Sequence, residues 1–437
     1  MKIRTKRWWA WLVGTLLVVP AGRPAAAQPA DSADLTLDRC LADALRHHPL
    51  AAQQAWVDRS AELLLAKERK TMWPQVQLSG QASWQSDVTR VPLALPGLTI
   101  PSLDRDQYRF VAELAQPLTD RPQVRRQEAL VRARTAVESR QLAVDLYGLR
   151  EQVAELYFGI LLQDAYLRQL GYLERDLREG LARVRAAIDS GTALRSQADL
   201  LQVELLTVGQ RKRTLTARRQ AFAEMLSAWT GLPLGDSTRF AVPPVPALPV
   251  EISRPELQVL ALQQKQLEAE KAVMEAIRLP RAQAFLQGGY GRPGLNLLDN
   301  RFDLFCLGGI RIGWNLSRLY TLDNDREILS VRSRTLDIRR DAFLLQTRQQ
   351  LVRQQRAMEG FEDLLRDDEA ILSLRESVMA TGREQLEQGV ITALDYLSLV
   401  KAADLARQER MIHDLQRRQA AWLFLIAAGG PDATDAR

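Results

Sequence analysis

Two of the chain's three histidines, His47 and His48, are adjacent, and histidine is the usual sign of metal or acid–base chemistry. Neighbouring helical residues point about 100° apart, and no His, Asp or Glu stands at ligand spacing from either, so the pair reads as structural. There is no His-Glu-x-x-His, no Gly-rich phosphate loop and no Gly-x-Ser-x-Gly, so nothing looks catalytic and no metal or cofactor is expected. The remaining polar chemistry stands in rows. Gln75, Gln77, Ser79, Gln81 and Ser83 alternate with Val76, Leu78, Gly80, Ala82 and Trp84. A period of two over about ten residues suits a strand with one face in lipid and the other in a watery lumen. The pattern recurs three times. Arg109 and Glu113 oppose Tyr108, Phe110, Ala112 and Leu114; Gln283 and Gln287 oppose Ala282, Ala284, Leu286, Gly288 and Tyr290; Arg311 opposes Leu304, Cys306, Gly308, Ile310 and Ile312. Gln75, Gln77, Gln81, Arg109, Glu113, Gln283, Gln287 and Arg311 are therefore the predicted lumen-facing residues. Trp73 and Trp314 would mark the inner membrane–water interface, and Trp84, Tyr108 and Tyr290 the outer girdle.

The rest of the chain must hold these strands. Lys2, Arg4, Lys6 and Arg7 precede the apolar run Trp8 to Val19, and Ala25-Ala26-Ala27 offers a cleavage site, so residues 1–27 read as a secretory signal peptide. That segment holds five of the 59 basic residues and none of the 53 acidic ones, so the formal charge of +6 falls to +1 without it. A nucleic-acid partner finds no support in so small a charge. Cys40 and Cys306 lie far apart, one in a predicted helix and one on the lipid side of a strand, which disfavours a disulfide. After the signal no apolar run approaches the ~20 residues of a spanning helix, so a membrane could be crossed only as a barrel.

Between the strands the sequence is helical and repeats itself. Residues 28–233 form one half, with strands at about 75–85 and 107–117; residues 254–431 form the other, with strands at about 281–291 and 303–315. The Pro-rich linker 234–253 joins them, and 432–437 is a tail. Each half reads helix, Pro (Pro74, Pro280), strand, loop, strand, very long helix, Gly break, returning helix. The long helices run from about Arg121 to Ser190 and from about Asp323 to Gln388. In the first, Leu142, Leu146, Leu149, Val153, Leu156 and Ile160 keep the alternating four-three step of a coiled-coil seam. About 70 residues at 1.5 Å each would span on the order of 100 Å. Four strands cannot enclose a wet lumen, so the chain must pool them with its own copies. Two copies supply eight and three supply twelve, and the polar rows favour the larger barrel.

The sequence resembles the TolC-like outer-membrane efflux proteins over essentially its whole length after residue 27. The resemblance rests on Leu-Thr-Leu-x-x-x-Leu-x-x-Ala-Leu-x-x-x-Pro at 35–49, the Pro74 and Pro280 junctions, Gln116-Pro117-Leu118 before the long helix, the Gly-then-Asp turns Gly191…Asp199 and Gly389…Asp395, and the two-fold repeat. It implies a mainly α chain with a membrane β-barrel: a homotrimer pooling four strands per protomer into twelve, continued by a periplasmic coiled-coil tunnel. It also implies a passive exit duct of a tripartite efflux or type I secretion system, embedded in outer-membrane lipid. The implied partners are a periplasmic adaptor and an inner-membrane transporter. Gly191, Thr192, Asp199, Gly389, Thr392 and Asp395 would form the adaptor-docking helix tips, or serve simply as turn and cap residues. Nearby Asp189, Glu384 and Glu387 are aperture candidates, since three-fold symmetry makes each inward carboxylate a ring. The spacing Gly191 to Asp199 is two residues longer than Gly389 to Asp395. The rival reading is a soluble periplasmic coiled-coil adaptor or scaffold.

Overall fold

Proline and glycine positions account for most element boundaries. A computed structural model describes residues 34–89, 103–249, 251–276, 278–297 and 299–430. The predicted signal peptide, most of the loop between the first two strands and the C-terminal tail lie outside them. Helix α1 (Leu37–His47) is capped by Thr36, whose hydroxyl accepts from the Arg39 N–H at 3.4 Å, and it buries Leu37, Cys40 and Ala44. Pro49 then imposes a single 3-10 turn, Pro49–Ala52, before α2 (Gln53–Lys70) begins. Pro74 stops α2 at β1 (Gln75–Trp84), which is followed by β2 (Asp106–Pro117).

Helix α3 (Arg121–Asp189) runs 69 residues without a break, about 100 Å. Gly191, at φ 76°, reverses the chain into α4 (Arg195–Thr230). The second half repeats the order: α5 (Pro255–Ala276), β3 (Arg281–Arg292), β4 (Asp303–Gly313), α6 (Leu322–Glu387, 66 residues), Gly389 at φ 72°, and α7 (Ala393–Ala428). Only glycine adopts this left-handed backbone without strain, which is why both reversals carry one. The halves differ at one junction. Three residues join β2 to α3, whereas eight join β4 to α6 and include a 3-10 turn, Leu316–Leu319, that the sequence pattern did not announce.

The long helices pack side by side: α3 against α4, α5 and α7, and α6 against α7. Their seam is apolar. Leu142, Leu149, Val153, Leu156 and Ile160 are buried, and Leu177, Leu181 and Val184 continue the series. Near the middle, Tyr157 points its hydroxyl to within 2.6 Å of the Leu35 and Ala241 carbonyl oxygens. There Leu35 forms a parallel bridge with Phe240, through Leu35 N–H to Arg239 O and Ala241 N–H to Leu35 O, each 2.9 Å. The Pro-rich linker is thereby strapped to the body. Trp422 Nε1 donates to Pro244 O at 3.0 Å and Arg418 to Pro243 O at 3.2 Å.

The four strands form one antiparallel sheet in the order β1-β2-β3-β4. Gln77 pairs with Glu113, Glu113 with Gln287, and Gln283 with Arg311. Cross-strand partners share a face, so this register fixes both faces of the sheet.

Candidate transport surface

All eight residues predicted to line a lumen fall on one face of this sheet: Gln75, Gln77, Gln81, Arg109, Glu113, Gln283, Gln287 and Arg311. The opposite face carries Val76, Leu78, Phe110, Leu114, Leu286, Leu304, Ile310 and Ile312. Burial is inverted relative to a soluble sheet. Val76, Leu304 and Ile312 are 72, 76 and 73% exposed. On the polar face Val111, Glu113 and Ala115 are half-buried. An apolar surface of this extent needs an apolar environment or a partner.

The polar face is cross-linked by its own side chains. Arg311 Nη1 donates to Glu113 Oε1 at 3.0 Å, and Gln287 Nε2 donates to Glu113 Oε2 at 2.5 Å. The guanidinium of Arg311 stacks 4.6 Å from the Phe285 ring centroid, and that of Arg109 lies 5.9 Å from the Phe305 centroid. Trp73 and Trp314 stand at the helix end of the strands, Trp84, Tyr108 and Tyr290 at the loop end, and all five are exposed. Trp314 Nε1 donates to Arg278 O at 2.9 Å, tying the end of β4 to the turn after α5. Tyr108 and Tyr290 both stack on Phe302, with centroids 6.2 and 5.5 Å apart.

The helix tips differ in construction. At the second, Thr392 and Asp395 form a reciprocal capping box. The Thr392 hydroxyl accepts from the Asp395 N–H at 3.2 Å, and the Asp395 carboxylate accepts from the Thr392 N–H at 3.1 Å. The Thr392 hydroxyl, which donates to the same carboxylate at 2.7 Å, and then the Thr392 N–H hold the Asp395 carboxyl below its usual range. At the first tip the cap role predicted for Thr192 or Asp199 is not realised. Thr192 closes the preceding helix by donating to Ala187 O at 3.0 Å, Leu194 occupies the cap position without a side-chain bond, and Asp199 lies exposed within α4. The two extra residues of spacing account for this, since they carry Asp199 past the first turn. Of the aperture candidates, Glu387 pairs with Arg183 of α3 at 2.5 Å, while Asp189 and Glu384 are exposed.

No protein-family model and no curated protein matches the chain. Solved structures do. The channel protein CusC superposes with a TM-score of 0.67 at 14% identity, over 93% of this chain and 99% of that one. The outer-membrane channel OprN gives 0.65 at 15% over 90% of each. The outer-membrane channel MtrE of Neisseria gonorrhoeae gives 0.62 at 15%, over 90% of this chain and 89% of that one. This is the fold of the TolC-like outer-membrane channels. At such identities the likeness is one of fold, and all three are channel proteins rather than enzymes.

Within the channel fold the sequence pattern missed a buried polar centre on α3. Asp176 of α3, its side chain 5% exposed, receives Arg407 of α7 at 3.0 Å and faces Arg383 of α6 at 3.7 Å. Arg407 also bonds Glu376 at 2.8 Å, and Arg383 faces Glu179 at 3.6 Å. Three helices meet there, and only the position of Asp176 on an otherwise apolar seam could have signalled it. His47 and His48 have structural settings. His48 Nδ1 accepts from the Leu50 N–H at 3.2 Å and its ring lies 5.5 Å from Trp229, and the His47 ring covers Gly231. Among the described residues no group of three metal-ligating side chains occurs, and no helix is long and apolar enough to cross a membrane.

Proposed function

We propose that the chain is the outer-membrane exit duct of a Gram-negative tripartite efflux or type I secretion system. It would passively conduct small molecules or polypeptide from periplasm to exterior. The observation that carries this reading is the sheet: one face apolar and exposed, the other polar, and no pairing for the outer edges of β1 and β4 among the described residues. Exposed edges in lipid are untenable, so copies of the chain must complete the barrel. Three copies supply twelve strands, with a backbone radius of roughly 12 Å at a ~4.8 Å spacing and ~40° tilt. The 69- and 66-residue helices leave from the same end of the sheet and continue the wall as a periplasmic tunnel. The tips at Gly191 and Gly389 are then the far end. They are the surface offered to a periplasmic adaptor, which in turn joins an inner-membrane transporter. Asp189, Glu384 and Glu387 stand at that opening.

Fractionation, followed by gel migration of the detergent-extracted protein with and without heating, tests the reading. It expects recovery in the outer membrane and a heat-sensitive band near three times the protomer mass. A buffer-soluble monomer would overturn it in favour of the periplasmic adaptor.

A further inference from the structure

The polar face of the sheet carries two phenyl rings, and neither stands off the wall. Phe305 pairs directly with Gly289, and its ring covers that glycine so closely that a Cβ there would run into it. Phe285 pairs with Gly309 in the same way, its ring 3.3 Å from where a Cβ would sit. A glycine opposite an aromatic gives the ring a floor to lie on. Upon each ring rests one guanidinium, Arg109 on Phe305 and Arg311 on Phe285, within the range of cation–π attraction. The two glycine–phenyl–guanidinium stacks differ in charge. Arg311 is neutralised by Glu113 at 3.0 Å. Arg109 has no ion-pair partner among the described residues. Asp303, the other carboxylate of this face, stands at the same level, opposite Gly291 as Arg109 is, and keeps its charge while it accepts the Leu304 N–H at 2.8 Å.

We propose that Arg109, laid along the wall by Phe305 and Gly289, is the charge-selecting residue of the lumen. Three copies form a guanidinium ring in the outer third of the barrel that offsets the three Asp303 carboxylates at the same level and so keeps the lumen open to anionic solutes, while the glycine floors keep the bore open. The inference rests on the trimeric duct reading above. With the charges about 10 Å from the axis of a water-filled lumen, the ring changes the local anion-to-cation ratio on the order of tenfold at ~0.01 M salt and has almost no effect at ~1 M.

The test is reversal potential across planar bilayers holding the purified wild type, R109Q or R109K, under a potassium chloride gradient at low and at high salt. R109Q is expected to shift permeability toward potassium by about tenfold at ~0.01 M and not at ~1 M, and R109K to behave as wild type. Both substitutions fall at an exposed side chain, so the barrel should assemble. An R109Q channel with the wild-type reversal potential at low salt overturns the assignment, leaving the duct intact. So does a shift that persists at high salt, which would report a changed bore. A wild-type protein that purifies as a monomer and conducts nothing overturns the duct reading and this inference together.

Discussion

Asp176 offers the sharpest energetic test, because one carboxylate joins three helices. In D176N both arginines lose their shared counter-charge at a site only 5% exposed. Removing one partner of a buried ion pair costs about 3–5 kcal/mol. Here Arg407 keeps Glu376 at 2.8 Å and Arg383 keeps Glu179 at 3.6 Å, so the low end, about 3 kcal/mol, applies. A kcal/mol moves the midpoint of a 437-residue chain by about 1 °C, which gives a fall of roughly 3 °C. The assay is thermal denaturation of the detergent-extracted protein, with limited proteolysis to show where the structure loosens. The α6–α7 hairpin should become cleavable before the sheet end does, because Arg383 and Arg407 belong to that hairpin. A midpoint within about 1 °C of wild type, with an unchanged cleavage pattern, would refute the argument that this carboxylate ties the hairpin to α3.

Three further outcomes are expected. Valine at Gly389 must adopt φ 72° at about 1–2 kcal/mol of local strain, but open space surrounds the position; trimers should persist while adaptor cross-linking is lost, and intact cross-linking would remove the tip from the docking surface. Burial holds the Asp404 carboxyl above its ordinary value of 3.8, partly offset by Gln169 Nε2 donating at 2.7 Å. The native state therefore binds this proton more tightly than the unfolded chain does, and the ionised form costs stability above the native value. D404N should raise the thermal midpoint at pH 7, with the gain vanishing as the pH falls below 3.8; a variant less stable at pH 7 contradicts the sign. Burial also pushes the Cys40 thiol up to about 12, so maleimide should spare it until denaturation, whereas exposed Cys306 should react with lipid-soluble but not with charged reagents in intact membranes. The reverse pattern would exchange the two faces of the sheet.

The elements were legible where chemistry is local. Period-two alternation announced four strands, Pro74 and Pro280 ended the helices before β1 and β3, and the absence of breakers from Arg121 onward announced a helix of about 100 Å. Asymmetry between the halves was not legible. The turn Leu316–Leu319 carries no proline or glycine, and Leu194 rather than a polar residue takes the cap position before α4. Partners were also out of reach. Glu113 and Arg311 sit on β2 and β4 with β3 between them, so their bond follows from register and side-chain reach. The Gly289–Phe305 and Gly309–Phe285 stacks likewise depend on which residue lands opposite which.

The Glu113–Arg311 bond distinguishes the two halves of the chain. Gln77, third in β1, pairs with Glu113, and Gln283, third in β3, pairs with Arg311, so the acid and the base occupy equivalent places in the two halves. A wall assembled from identical half-chains would have set like charges side by side at this level. The bond requires halves that differ at this place. In the proposed barrel it favours unlike halves alternating around the wall, where a ring of identical repeats would set like charges at this level.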